Sequence, residues 1–360
     1  MRLRQKFDDS KVIEAAYLFY TAQKKQREIA DLLGMTQPQV SQMIEQAKDD
    51  GLIKISIQSS QDVRLARGII EKYPHIKECT VLKYKGDKTK ESNDLVTELL
   101  GKAAAEHFNG HVLTGGIVGV SGGMALASMV SSLNNKSNIE NLSVYSMSIW
   151  CRSRIDSVSP VAVVSDLIKN YPGSKGFSAQ LPGYSADPKV AFQQKQMDLE
   201  RIKPVLEGPL RKDRNKTLYV GLGSIPGGSK DDQSSFRERP IVDFANLLNE
   251  LEITGRPLEF MAGECCLQPY DINGNILTSR NCRDQDIRQA LQKIENNIIG
   301  FELNHLREMV KAGTDIVCAL AGGYYKQRSV LGGLRGKIFN HLITDITCAE
   351  YALADPSASK

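Results

Sequence analysis

Two sets of residues in this chain have types and spacings suited to chemistry. The first are small or charged residues that follow short apolar runs. They are Ser121-Gly122-Gly123 after GIVGV, Gly221, Gly223 and Ser224 in YVGLGS, Glu264 and Asp271 in MAGECCLQPYDINGNIL, and Gly322-Gly323 with Lys326 in ALAGGYYK. A strand ending in glycines that open onto a helix lets backbone N–H groups approach an anion at the helix N-terminus. The chemistry expected at Ser121, Gly122, Gly123 and the adjoining Met124 is therefore phosphate or carboxylate binding. A tight strand-to-helix turn that needs glycine for geometry alone is the other reading. Lys326 would add a point charge, and Arg152 and Arg154 bidentate guanidinium contacts. Glu264 at a strand end can accept from sugar hydroxyls. Asp271, ahead of Asn273-Gly274, reads equally as a ligand or as the cap of its own turn.

The second set is Gln37, Gln39, Ser41 and Gln42 in TQPQVSQMIEQA. Glutamine can pair bidentately with adenine, and serine can contact base or phosphate. These residues fall on the N-terminal half of a helix, where recognition helices face the major groove. The flanking signals agree. Ile29, Ala30 and Leu33 give one apolar face, Gly34 suits a left-handed helix end, Thr36 is an N-cap and Pro38 lies in the first turn. Val40, Met43, Ile44 and Ala47 recur at three- and four-residue steps and face inward. Residues 10–22 form a supporting helix with Val12, Ala15, Ala16 and Phe19 inward. Gly51 ends the recognition helix, and LIKISI follows as the alternating strand of a wing. Thr36, Lys24, Lys25 and Arg27 join the DNA contacts, as do Arg2, Arg4 and Lys6 as phosphate partners.

The elements that must position the first set alternate. After a polar linker at 58–62, residues 63–74 read as a helix, CTVLKY as a strand and ESNDLVTELLGKAAAEHF as an amphipathic helix. GIVGVS, LSVYSMSI, TLYVGLG, LEFMAG, DIVCALAG and HLITD follow as strands between helical segments. Such alternation predicts a largely parallel sheet with helices on both faces, whose ligands sit at the strands' carboxyl ends. The domains expected are 1–57, a winged helix-turn-helix, and 63–360, an α/β effector-binding and oligomerisation domain. Residues 224–240 read as a loop over the site.

Composition narrows the class. The chain has 360 residues, net charge +4 and a hydrophobic fraction of 41%, ordinary for a globular protein of two or three domains. Residues 1–58 hold nine Lys/Arg and eight Asp/Glu, a net of +1, so a DNA-binding unit there must gather its cations on one face and act as an oligomer. No apolar run reaches the ~20 residues of a membrane span, and MRLRQKFDD lacks the apolar stretch of a signal peptide. Seven cysteines without CxxC spacing suit reduced thiols in a cytoplasm. Adjacent Cys265-Cys266 read as small buried residues rather than metal ligands. The five histidines, His75, His107, His111, His305 and His341, show no ligand spacing, and neither a metal nor a cofactor is expected.

Taken together, REIADLLGMTQPQVSQMIEQAKDDGLIKI, VGVSGGMAL, VGLGS, AGECCLQPYDINGNIL and LAGGYYKQRSVLGGLRGKIFNHLITD resemble the SorC family of bacterial sugar-binding transcriptional regulators. The likeness spans nearly the whole chain. It implies a Rossmann-like effector domain similar to sugar-phosphate isomerases, a phosphorylated sugar as effector, and dimers or tetramers on operator DNA upstream of a carbohydrate uptake or catabolism operon. It also implies that Ser121, Gly122 and Gly123 line the phosphate pocket, completed by Gly221, Gly223, Glu264, Asp271, Gly322 and Lys326. The chain departs from many members at Met124 and Ala125, where hydroxyl residues are usual, and at Gln42, where arginine is usual. Two other readings compete. One is a sugar-phosphate isomerase or deaminase using Glu264 and Lys326 as base and acid. The other is an adaptor whose N-terminal helices only oligomerise.

Overall fold

The computed structural model describes residues 7–53, 59–134, 138–147, 158–178, 185–207, 216–225, 248, 251–253, 256–299 and 302–354. It divides into two compact units, Met1–Gln58 and Ser59–Lys360. Residues 54–57 of the expected wing, Arg2, Arg4, Lys6, Arg152, Arg154 and residues 226–240 of the expected loop lie outside the described residues.

The first unit holds three helices, α1 (Asp9–Tyr20), α2 (Gln26–Leu33) and α3 (Gln37–Asp49). Asp8 caps α1 by accepting from the Ser10 N–H. Gly34 ends α2 at φ 63°, in the left-handed region that glycine enters without a Cβ clash. Val12, Ala15, Ala16, Ile29, Ala30, Val40, Met43, Ile44 and Ala47 close the core as their spacing predicts. Phe7 joins them, held by Gln46, whose Oε1 accepts from the Phe7 N–H and whose Nε2 donates to the Phe7 carbonyl. Phe19 packs against that core but is only partly buried.

The second unit begins inside the expected linker. Gln61 bridges to Leu82, and Asp62 caps α4 (Val63–Lys72). Next come β1 (Glu78–Leu82), α5 (Lys90–His111), β2 (Ile117–Val120), α6 (Met124–Ser132), β3 (Ser143–Ser146), α7 (Pro160–Lys169), β4 (Lys175–Phe177) and α8 (Pro188–Glu207). Then follow β5 (Lys216–Gly221), β6 (Gly223–Ser224), α9 (Arg256–Phe260), β7 (Gly263–Cys265), β8 (Gln268–Tyr270), α10 (Gln285–Asn297) and α11 (Leu303–Ala312). The last elements are β9 (Ile316–Leu320), α12 (Gln327–Arg335), β10 (His341–Asp345) and α13 (Ile346–Ala354).

Seven strands pair in parallel in the order β1-β10-β9-β5-β2-β3-β4. Their alternation fills two cores. Val81, Leu218, Val220, Val317, Ala319 and Leu342 face α4, α8, α11, α12 and α13. Leu82, Val118, Val120, Tyr219, Cys318, Leu320 and Ile343 face α5, α6 and α7. The expected two-faced α/β sheet is therefore present. One strand expectation fails. In LEFMAG, residues 258–260 belong to helix α9, and only Gly263 is strand. β7 pairs antiparallel with β6 and β8 in a separate three-stranded sheet. A third cluster, with Leu267, Leu277, Ile287, Leu291 and Ile294, packs beneath it. The apolar run was long enough for a strand, but Leu258 of the helix and Met261 just beyond it both pack into that cluster.

Candidate functional site

The chain runs outward from β2 through β3 to β4 on one side of the sheet, and from β5 through β9 to β10 on the other. The order therefore reverses between β2 and β5, and the crevice at their carboxyl ends is where open α/β sheets bind ligands. The residues expected at the site stand on its two lips. Ser121 is buried, and its Oγ accepts from the Gly221 N–H at 2.9 Å, tying the two strand ends together. Gly122 lies against Pro160, where a Cβ would come within 2.8 Å of the ring. Gly123, at φ 117°, starts α6 and donates its N–H to the Val158 carbonyl at 2.8 Å. Its own N–H is thus spent on the scaffold, and the first turn of α6 presents the N–H groups that follow it. Met124 is 40% exposed at that helix start.

Gly223 and Ser224 form β6, opposite Glu264 and Gly263. A methyl group at Gly223 would overlap the Glu264 carboxylate. Glu264 Oε2 accepts from the Leu267 N–H at 2.8 Å, across the turn joining β7 to β8. The central residues of that turn, Cys266 and Leu267, have φ 51° and 70°, the pattern of a type I′ hairpin built without glycine. Each non-glycine residue held there stores on the order of 1 kcal/mol of strain. Lys326 Nζ donates to the Leu222 carbonyl between β5 and β6. Cys265 and Cys266 are buried, as expected of small apolar residues. Hydrogen bonding to Cys266 together with burial raises the Cys265 thiol well above its usual range.

Asp271 belongs to its own loop. One oxygen accepts from the Asn273 and Asn275 N–H groups at 2.9 and 2.8 Å, and the other from the Asn275 side chain at 2.9 Å. With Gly274 at φ 81°, the turn-capping reading fits the geometry.

Gly322 and Gly323 follow β9 and face Val96, Leu100 and Asn93 of α5. They bring in a residue that the sequence reading passed over. Asp345 ends β10 fully buried; one oxygen accepts from the Cys348 N–H at 3.2 Å, and Oδ2 has no hydrogen-bond partner among the described residues. Both oxygens lie close to where Cβ atoms of Gly86 and Gly322 would stand, at 3.3 and 3.4 Å. A buried carboxylate oxygen without a donor is costly, and a ligand hydroxyl supplies one. The carboxyl-end rule applied to HLITD would have found it. At the carboxyl ends of β3 and β4, Arg201 of α8 donates to the Ser146 and Phe177 carbonyls and pairs with buried Asp198.

In the first unit, Gln37, Ser41 and Gln42 share the exposed face of α3, with Thr36, Lys25 and Arg27 also exposed and Lys24 half-buried. Gln39 departs from expectation. Its Oε1 accepts from both the N–H and the hydroxyl of Thr36, at 2.9 and 3.0 Å. This is the reciprocal arm of a capping box, with glutamine three residues after a threonine N-cap.

The histidines also depart from expectation. His107 and His111 of α5 and His341 of β10 converge with Glu78 of β1. The i, i+4 spacing in HFNGH was the available signal, but the other two members come from distant segments.

The fold and crevice define a sugar-binding α/β domain that follows a helix-turn-helix, the architecture of an effector-controlled regulator. Residues 58–354 match the family described as "Putative sugar-binding domain". The chain belongs to this family, that of the SorC-type sugar-binding transcriptional regulators. It is 26% identical to the deoxyribonucleoside regulator of Bacillus subtilis over 92% of this chain and 94% of that one. It is 23% identical to an uncharacterised transcriptional regulator of Escherichia coli over 97% and 95%. The crystal structure of the full-length sorbitol operon regulator SorC from Klebsiella pneumoniae shares the fold at TM-score 0.59 and 20% identity, covering 97% of this chain and all of that one. The protein is a sugar-responsive transcription regulator. Among the described residues, no helix is long and apolar enough to cross a membrane.

Proposed function

We propose that this regulator binds double-stranded operator DNA through α2 and α3 and takes a sugar or sugar-phosphate effector in the crevice between β2 and β5. The hydrogen bond from Gly221 to Ser121 carries the reading, because it joins the two lips of the topological switch point in a polar, small-residue cradle. The anionic group of the effector meets the first turn of α6 beside Ser121, Gly122 and Gly123. Hydroxyls reach Asp345 between Gly86, Gly322 and Gly323, and Gly221, Gly223 and Ser224 form the wall between them. Met124 and Ala125 bring no hydroxyl, so backbone N–H groups supply the anion contacts. On DNA, Gln37, Ser41 and Gln42 face the bases, and Lys24, Lys25 and Arg27 the phosphates. A dimer or tetramer in the cytoplasm, acting on a carbohydrate operon, accords with the small net charge of the DNA-binding unit.

The protein acts as a regulator rather than an enzyme. Glu264 and Lys326 make a poor base and acid, since the carboxylate accepts from the Leu267 N–H and the ammonium donates to the Leu222 carbonyl. The test is fluorescence anisotropy of the purified protein on DNA from upstream of its own operon, with and without a panel of sugars and sugar phosphates. Specific binding should weaken with salt at about −0.9 per neutralised phosphate on a double-logarithmic plot. One compound should shift it, through differential affinity for two states. Absence of any salt-sensitive binding would reject the reading.

A further inference from the structure

The amino-terminal ends of β1 and β10 lie at the opposite edge of the sheet from the crevice. His341 precedes Asp345 by four residues along β10, about 13 Å of strand. In register across the sheet, Glu78 pairs with His341, His341 with Cys318, and Cys318 with Tyr219. The row faces α5, where His107 and His111 stand one turn apart with rings stacked at 4.0 Å. Nitrogen and oxygen atoms of Glu78, His107, His111 and His341 all lie within 4.8 Å of one another. His107 Nε2 is 2.9 Å from His341 Nδ1, and His111 Nε2 is 3.0 Å from Glu78 Oε2. Glu78 oxygens stand 3.9 Å from His107 Nε2 and 3.8 Å from His341 Nδ1. The edge of a tetrahedron with metal–ligand bonds of about 2.0–2.1 Å is about 3.3 Å, inside that range.

The hydrogen bond to His111 fixes which of its ring nitrogens points inward. His111 Nδ1 sits 2.9 Å from the His107 carbonyl, which can only accept, so Nδ1 carries the proton. In the neutral ring Nε2 then turns a lone pair toward a carboxylate oxygen, and a cation between them resolves the conflict. His107 Nδ1 is 2.9 Å from the Tyr219 hydroxyl, which leaves its Nε2 able to face the cluster as an acceptor. Second-partner bonds of this kind orient metal-binding imidazoles. The way in is open, since the Glu78 side chain is 42% exposed while that of His107 is 4%.

We propose that Glu78, His107, His111 and His341 form a four-coordinate site for a divalent transition metal of the zinc class. Three nitrogens and one oxygen match that class rather than magnesium or calcium, which take oxygen ligands. With four protein ligands the site is closed. It fastens the carboxyl end of α5 to the sheet edge, and it does not depend on the effector reading.

Cobalt(II) titration of full-length, chelator-stripped protein tests this. One equivalent per chain should bind, with the intense visible absorption of four-coordinate cobalt and no thiolate charge-transfer band. Zinc should displace it and raise the melting temperature. His111→Ala and Glu78→Gln, both at the exposed edge, should each weaken cobalt binding at least tenfold while circular dichroism stays unchanged. The proposal is overturned by failure to bind stoichiometric cobalt, by affinity in both variants unchanged from that of the unsubstituted protein, or by a thiolate band that places the metal on cysteine.

Discussion

At the carboxyl ends of β2, β5 and β9 the protein offers glycines, a serine hydroxyl and backbone N–H groups, and at the end of β10 one carboxylate oxygen without a hydrogen-bond partner among the described residues. At the amino ends of β1 and β10 it offers three imidazoles and a carboxylate. The first arrangement is shaped by missing side chains, the second by converging ones. A cradle of backbone suits a ligand that comes and goes, because its donors are fixed by the fold and need little reorganisation. A knot of buried side chains suits something that stays, since each lone pair needs a partner.

The contrast is sharpest in acid. His75, just before β1, is pushed down to about 4 by burial and by the nearby Lys337 ammonium. Its Nε2 has no hydrogen-bond partner among the described residues. The unfolded chain binds a proton there below about 6.5 while the folded chain refuses it until about 4. The contribution of this residue is therefore full above pH 6.5 and falls as pH drops through that window, by at most about 3 kcal/mol before solvent screening. Urea unfolding from pH 7 to 4 should show the loss, and His75→Gln should make the slope shallower; an unchanged slope would remove this residue from the account.

Ser121→Ala probes the other end. It strips the acceptor from the Gly221 N–H and should cost about 1–3 kcal/mol in urea unfolding, with the effector's shift of DNA binding abolished. Intact effector response would break the assignment of the crevice. Smaller again, Asp345→Asn should weaken the effector about tenfold, roughly 1.4 kcal/mol, without lowering the melting temperature of the ligand-free protein. A variant that loses stability but keeps effector affinity would make Asp345 structural only. Least of all, Gln39→Ala should cost about 1 kcal/mol of helix capping and weaken specific and nonspecific DNA binding alike. Gln42→Ala should weaken specific binding alone; the reverse pattern in titrations on both DNAs would restore Gln39 as a base reader.

The carboxyl ends of the crevice strands were legible because each strand and its glycines are contiguous, as in GIVGVSGG and DIVCALAGG. Periodicity placed the strand, and the glycines marked its end. Asp345 escaped because a single aspartate after HLIT carries no glycine to announce it. Gln39 reads two ways because both capping and base reading favour a glutamine in the first turn of a helix, and the structure shows the capping bond to Thr36. The amino-end cluster was hidden for a different reason. Glu78, His107 and His341 meet only after the sheet has ordered, and pairing β1 with β10 is a tertiary event that no local pattern encodes. The failed strand in LEFMAG has the same origin, since a short apolar run is decided by what it packs against.

That pairing of β1 with β10 also sets a timetable. Glu78 waits for His341, 263 residues later. At a synthesis rate of roughly 5–20 residues per second, β1 leaves the ribosome about 13–50 s before its neighbour exists. The first unit is complete in sequence by residue 58, long before. For the whole of that interval the nascent chain carries a complete DNA-binding head and a sheet edge still open to other strands, and only the final few dozen residues close it.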